Sequence, residues 1–221
     1  MRAEEGAPAP QPKKLTVVGI GLAGLKLERL QRRKGKPGPN DWLAHHPEPG
    51  QNFKQYIAVN PNRPDRRRTT LYIQPLGEFT EEELRLLDLT EEFMGLFYGM
   101  PIKTLEKLPL GMVPDRARRK QPWGDQLSTP YILTEILRPR RAGDAVATLA
   151  LSASGLWPGE GWHYGFEEAS LDDGVGVWSL ARYGNPKKNF AWTLRRTLHV
   201  AVHETGHMLG MYHCTAYECG W

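Results

Sequence analysis

The longest run of helical periodicity in this 221-residue sequence spans residues 191–209. Its apolar or small positions fall near one face of a helix, and they are Leu194, Leu198, Ala201, Val202, Thr205 and Leu209. Two histidines, His203 and His207, follow each other one turn apart near the end of this pattern. The sequence therefore places two candidate metal-binding side chains near the end of its last long helix.

Residues 203–213 read HETGHMLGMYH. The three histidines, Glu204 and Gly210 each have a separate structural or chemical role in this pattern. At 100° per residue, His203 and His207 lie about 40° apart around the helix axis, so both imidazoles reach one metal ion. Glu204 lies on the flank, about 60° from His207 by the same geometry. That position suits a carboxylate that takes a proton from a water molecule at the metal, rather than one that binds the metal.

Gly210 accounts for the second half of the motif. A glycine three residues past the second histidine can adopt a positive φ and end the helix sharply. That turn lets His213 swing back as a third nitrogen ligand, and three protein ligands leave a fourth position open, as in catalytic zinc sites. The sequence thus predicts a zinc ion bound by three histidines with Glu204 as general base. An accidental spacing of surface histidines is the alternative.

The pattern HExxHxxGxxH resembles that of the metzincin metallopeptidases. Cys214 follows the third histidine directly and Cys219 comes five positions later, which resembles the archaemetzincins, a family of zinc peptidases. The stretches 74–77 (QPLG) and 166–183 (FEEASLDDGVGVWSLARY) also resemble this family. The resemblance covers residues 71–221 and implies hydrolysis of peptide bonds in a peptide or protein substrate.

The resemblance also implies an α+β fold, with a small twisted mixed sheet packed on helices and the active-site helix at about 191–209. The alternation of strands and helices by itself indicates α/β or α+β. In metzincin-type enzymes an edge strand binds the substrate as an added antiparallel strand, because main-chain pairing gives affinity without demanding particular side chains. Val175, Gly176 and Val177, in the predicted strand 175–180, are the expected edge.

Two cysteines bear on a second zinc site. In the family, the cysteines matching Cys214 and Cys219 join a downstream CxxC pair to bind a structural zinc, and a methionine stands where this sequence has Trp221. This chain has no such pair. We therefore expect either an incomplete C-terminal part or a degenerate member of the family, and a second zinc only where that part is present. Free thiols and half of a zinc site remain alternatives for Cys214 and Cys219.

Several other elements follow from local patterns. The short run 71–75 predicts a strand, and Thr80 followed by Glu83 predicts a capping box that starts a helix reaching about residue 98. Residues 102–108 and 145–151 predict strands, and residues 128–137 predict a helix. We expect three regions: a disordered lead-in at 1–14, an irregular segment at 15–68 and the peptidase domain at 69–221.

Charge and hydropathy limit the partners. The net charge is +4, and basic clusters at 63–68, 116–120 and 138–141 each lie beside prolines, which favours solvated loops over a nucleic-acid surface. No window approaches the roughly 20 apolar residues of a membrane helix. Residues 1–14 lack the apolar core of a secretory signal, so a cytoplasmic protein is expected. The oligomeric state stays open.

Two other functions are alternatives to a peptidase. A catalytically silent zinc protein that binds peptides or partners would share the histidines, but the presence of Glu204 favours the enzyme. Gly19, Gly21 and Gly24 spell GxGxxG, as in dinucleotide-binding folds. The chain then enters RRKGKPGPN instead of a full helix, so we expect a glycine-rich loop there.

Overall fold

The computed structural model describes residues 32–217. The predicted lead-in, the GxGxxG glycines and Cys219 lie outside this range. The chain divides into two compact units, one comprising Pro49–His213 and the other containing the described residues 32–48 and 214–217. No helix between residues 32 and 217 is both long and apolar enough to cross a membrane.

The smaller unit contains one short helix, α1 (Trp42–His45). Arg33 forms an isolated antiparallel bridge with Tyr217, and its guanidinium carbon lies 5.8 Å from the centre of the tyrosine ring. Lys34 Nζ donates to the carbonyl of Cys214 at 3.0 Å. These contacts join the two stretches of chain that make up this unit.

The larger unit alternates helices and strands. In chain order they are α2 (Phe53–Ala58), β1 (Thr70–Leu76), α3 (Glu81–Tyr98), β2 (Ile102–Thr104), β3 (Arg118–Gln121), β4 (Gly124–Ser128), α4 (Thr129–Tyr131), α5 (Arg138–Arg140), β5 (Ala145–Ser152), β6 (Gly155–Trp157), β7 (Glu167–Ala169), β8 (Val175–Ser179) and α6 (Phe190–Met208). A π-helix, Ile132–Leu137, joins α4 to α5. Two single-turn 3₁₀ helices lie at Leu110–Met112 and Asp115–Ala117.

The central sheet has five strands in the order β2-β1-β5-β8-β7. Its first four strands run parallel and β7 runs antiparallel to β8, which makes the sheet mixed. Strands β3, β4 and β6 form a second, three-stranded sheet. This architecture confirms the predicted α+β fold with a small mixed sheet.

Helices cover both faces of the central sheet. On one face, α3 and α6 pack against a cluster that includes Leu71, Leu149, Leu151 and Trp178. On the other face, the π-helix packs against Ala150, Val175 and Val177. Strands covered on both sides have few polar positions, which is why β5 reads AVATLALS and is buried throughout.

The long helix α3 confirms the predicted capping box. The Thr80 hydroxyl accepts from the backbone N–H of Glu83 at 3.3 Å, and Glu83 Oε2 accepts from the backbone N–H of Thr80 at 2.8 Å. At the other end of α3, the Tyr98 hydroxyl donates to the carbonyl of Val202 in α6 at 2.6 Å. This bond supports α6 one residue before His203.

The prediction that Val175, Gly176 and Val177 form the sheet edge is wrong. They belong to β8, which lies between β5 and β7, and all three are buried. Within the described residues the edge is β7, whose three residues follow a glycine-rich loop and carry no alternating pattern. A Cβ atom at Gly176 would lie 3.1 Å from Met208 Sδ and 2.8 Å from Leu149 Cδ1, so the missing side chain lets α6 approach the sheet.

The structure also gives the bounds of the units and of the shorter elements. The larger compact unit comprises Pro49–His213, and side chains from residues 51–62 bond to the end of α6. The expected domain range of 69–221 stays a prediction, and α1 and α2 lie within the segment 15–68. The predicted strand 102–108 is regular only over Ile102–Thr104, and the predicted helix 128–137 contains the π-helix.

Candidate metal centre

Three imidazole rings converge at the end of α6. The Nε2 atoms of His203, His207 and His213 form a triangle with edges of 3.0, 3.1 and 3.2 Å. The ring of His207 is nearly perpendicular to the other two, at 89° and 81°, so the nitrogens approach a common point from different directions. All three residues are half-buried. The structure therefore brings the three predicted ligands together.

The triangle fits a zinc ion. Zinc–nitrogen bonds of about 2.0–2.1 Å in a tetrahedral site place neighbouring nitrogens about 3.3–3.4 Å apart. The edges of the histidine triangle are within a few tenths of an ångström of that spacing. Among residues 32–217, no fourth metal-binding side chain joins the three imidazoles, and three protein donors leave room for a further ligand.

A hydrogen bond to the backbone fixes the tautomer of His207. Its Nδ1 atom lies 2.7 Å from the carbonyl oxygen of Met211. Because a carbonyl only accepts, Nδ1 carries the proton and donates it, and Nε2 of the neutral ring keeps its lone pair. Such a bond from the second ring nitrogen is the usual support of a metal-binding histidine.

The turn after α6 explains Gly210. The backbone N–H of Gly210 donates to the carbonyl of His207 at 2.8 Å, and that of Met211 donates to the carbonyl of Gly206 at 3.0 Å. Together with a φ of 85° at Gly210, these bonds make a Schellman C-cap. The chain reverses there and returns His213 to the other two histidines, as the motif predicts.

Glu204 lies beside the histidines and is almost fully buried, with 2% of its surface exposed. Its Oε1 atom is 4.0 Å from His203 Nε2. Burial raises the pKa of this carboxyl well above its ordinary value, and the negative charges of Glu167 and Glu168 raise it further. Two further carboxyls, those of Glu167 and Glu168 on the edge strand β7, thus lie near Glu204.

Glu167 was not singled out in the sequence. Its Oε2 atom is buried and has no hydrogen-bond partner among residues 32–217, and burial raises the pKa of the carboxyl from 4.5 to about 7. Tyr183 is close to both carboxyls: burial raises the pKa of its hydroxyl, and the charges of Glu167 and Glu204 add to the effect. No spacing rule marks these residues, because they meet only through the pairing of β7 with β8.

The remaining predicted site residues lie elsewhere. Val175, Gly176 and Val177 are in the interior strand, under α6 and the π-helix. Cys214 is partly buried in the smaller unit, where its carbonyl accepts from Lys34. Cys219 lies beyond the described residues, so its part in a second zinc site stays a prediction.

Comparison with curated proteins gives a consistent set of relatives, although no family model matches the chain. The sequence is 26% identical over 218 residues to Archaemetzincin-2 of Homo sapiens, covering 82% of this chain and 60% of that protein. It is 26% identical over 157 residues to Archaemetzincin of Pyrococcus furiosus, covering 69% of this chain and 79% of that protein. The chain thus spans only 60% of the length of the Archaemetzincin-2 relatives that it matches.

Solved structures show the same fold. The crystal structure of Archaemetzincin from Archaeoglobus fulgidus complexed with malonate matches with a TM-score of 0.52 and 23% identity, covering 66% of this chain and 81% of that one. A zinc-dependent peptidase from Methanocorpusculum labreanum matches with a TM-score of 0.50 and 17% identity, covering 65% and 83%.

Proposed function

Since the chain belongs to the archaemetzincin family, we propose that it is a zinc-dependent peptidase that hydrolyses peptide bonds. His203, His207 and His213 hold the zinc, and Glu204 is the general base. The observation that carries the proposal is the triangle of Nε2 atoms, 3.0–3.2 Å on each edge, beside a buried carboxyl. Metal ligands and a proton acceptor side by side are the minimum that this chemistry requires.

Each residue in the proposal has one task. A zinc ion at the histidines would polarise a peptide carbonyl and lower the pKa of a water molecule. Glu204 takes the proton of that water and later passes it to the leaving amine. His207, held by Met211, presents a fixed nitrogen lone pair to the metal.

The raised pKa of Glu204 is compatible with its role as a base. Burial and two neighbouring carboxyls favour the protonated form. With a divalent cation at the histidine triangle, a positive charge lies next to this carboxyl and favours ionisation. We therefore expect Glu204 to become a competent base only in the metal-loaded protein.

Substrate binding is proposed at β7, the edge that the structure has in place of Val175–Val177. Glu167–Ala169 pairs with β8 on one side and ends the sheet order on the other. An extended peptide can add to such an edge by main-chain hydrogen bonds. The charges of Glu167 and Glu168 act on Glu204, which supports a position for this edge close to the proposed catalytic carboxyl.

The direct test is digestion of a peptide library by the 221-residue chain, with products identified by mass spectrometry. Cleavage should be present with zinc, absent after chelation and restored when zinc is added back. A protein that binds zinc through the three histidines but cleaves no peptide or protein would contradict the peptidase proposal. That result would favour the silent zinc-binding alternative.

A further inference from the structure

We propose that Gln51, Tyr56 and Asn62 are positioning residues of the metal centre. They lie in a segment that we call the strap, residues 51–62, and they hold the turn that brings His213 to the other two histidines. The proposal rests on the proposed function in one respect, that His213 is a metal ligand. It assigns a role to a part of the chain that carries no metal-binding motif.

The strap completes the hydrogen bonding at the end of α6. The last carbonyls of a helix have no partner within the helix, and the Schellman bonds use those of Gly206 and His207. The next three carbonyls accept from side chains of the strap. Asn62 Nδ2 donates to Met208 at 3.0 Å, the Tyr56 hydroxyl donates to Leu209 at 3.2 Å, and Gln51 Nε2 donates to Gly210 at 3.2 Å.

Gln51 holds the turn at two points. Besides its bond to the carbonyl of Gly210, its Oε1 atom accepts from the backbone N–H of Tyr212 at 3.2 Å. These two bonds flank Met211, whose carbonyl accepts from His207 Nδ1. The next residue after Tyr212 is His213. One amide side chain therefore fixes the backbone that orients one ligand and carries another.

Asn62 ties the same turn to the central sheet. Its Nδ2 atom donates to the carbonyl of Val146 in β5 at 2.8 Å as well as to Met208. Its Oδ1 atom accepts from Arg68 Nη1 at 2.8 Å. Arg68 is in turn held by Asp65, so the amide is fixed in orientation from both ends. The end of α6 is thereby set relative to the strand beneath it.

The strap is itself ordered. Helix α2 begins with a capping box in which Asn52 Oδ1 accepts from the N–H of Gln55 and Gln55 Oε1 accepts from the N–H of Asn52. Pro61 packs against the turn so closely that a Cβ atom at Gly210 would lie 2.9 Å from Pro61 Cβ. The strap therefore has local hydrogen bonds of its own as well as those that it makes to the end of α6.

Metal affinity is sensitive to such support. Partners that orient metal ligands typically change affinity by about 10–100-fold when removed. The geometry of bound cobalt(II) is also reported directly by its visible absorption bands, which do not respond to a general loss of stability. These two readouts separate a positioning role from a merely structural one.

The experiment compares Gln51→Ala, Gln51→Glu and Asn62→Ala with Lys54→Ala, an exposed strap residue that serves as control. Zinc affinity is measured by competition with a chromophoric chelator, and the cobalt(II) spectrum is recorded for each protein. We expect about 10–100-fold weaker zinc binding and shifted cobalt bands for the three test variants, with neither change in the control.

Gln51→Glu keeps the acceptor for Tyr212 but places a carboxylate against the carbonyl of Gly210, so it removes one bond only. This variant keeps the proposal testable if Asn62→Ala does not fold. Unchanged affinity and spectrum in both Gln51 variants would overturn the proposal. Neither readout requires turnover. If the protein binds zinc at the histidines but cleaves no peptide, the peptidase proposal is contradicted. Weaker zinc binding by the variants would still support the positioning role of the strap.

Discussion

The Nδ1 atom of His207 donates to the carbonyl of Met211, four residues along the chain, at 2.7 Å. This bond links the helical half of the motif to the turn that follows it. Because the carbonyl belongs to the turn, the orientation of one proposed ligand depends on the path of the backbone that carries another, His213. The HExxHxxGxxH spacing thus specifies a coupled unit rather than three independent side chains.

Substitution of His207 by alanine should remove most of the zinc. Two nitrogen ligands hold zinc poorly, and the freed carbonyl of Met211 would also lose its donor. Elemental analysis of the purified variant gives the metal content per chain. Full zinc retention would show that the metal binds elsewhere. His163→Ala, at an exposed position, is the matched control and should keep its zinc.

Glu204→Gln should separate metal binding from chemistry. Glutamine has nearly the same shape but cannot accept the proton, so hydrolysis should fall by about 100- to 10,000-fold while zinc content stays that of the unaltered protein. Initial rates on any peptide that the unaltered protein cleaves provide the measurement. Equal rates for the two proteins would remove Glu204 from the mechanism.

Gly210→Ala should destabilise the fold and weaken zinc binding. A residue with a side chain is strained at a φ of 85°, and its Cβ would lie 2.9 Å from Pro61 Cβ. We expect a loss of about 2–3 kcal/mol in the free energy of unfolding, measured by denaturant titration of the metal-free protein. Gly143→Ala has open space around the new methyl group and should change that free energy by less than about 0.5 kcal/mol.

Glu167 should make the metal-free protein less stable as the pH rises. Burial raises its pKa from 4.5 to about 7, so the folded state binds more protons than the unfolded state between these values. The free energy of unfolding therefore falls as the pH rises through this window. Because one pKa unit corresponds to about 1.4 kcal/mol, the full loss amounts to about 3 kcal/mol.

Glu167→Gln removes this dependence, because glutamine does not titrate. The free energy of unfolding is measured for both proteins by denaturant unfolding at pH 4 and at pH 8. The difference, variant minus unaltered protein, should be more positive at pH 8 than at pH 4. Glu160→Gln, at an exposed position, controls for the loss of one formal charge. The same pH dependence in Glu167→Gln as in the unaltered protein would show that Glu167 is not its source.

Local patterns predicted the elements whose signals lie within a few residues of each other. Thr80 and Glu83, three positions apart, indicate the start of α3. Gly210 indicates the end of α6 by its position after His207. The period of 3.6 residues located α6 to within a residue or so of Phe190–Met208. These features depend on neighbouring residues, so the sequence shows them directly.

Features that depend on pairing were not predictable in this way. The apolar run from Val175 is equally compatible with an edge or an interior strand, because its position depends on whether Glu167–Ala169 adds to it. Those three residues are too few to show a period of two. The contacts of Gln51, Tyr56 and Asn62 were missed for the same reason, since a single amide or hydroxyl carries no pattern.

The hydrogen bonds of the strap also constrain the order of folding. They join residues separated by 146 to 161 positions in the chain. Contacts between such distant segments form late in folding, because the entropy cost of closing a long loop comes before the contacts can stabilise the chain. The local bonds of the turn can form early, but the support from the strap is gained only when distant parts of the chain have come together. We therefore expect zinc affinity to reach its final value only in the fully folded protein.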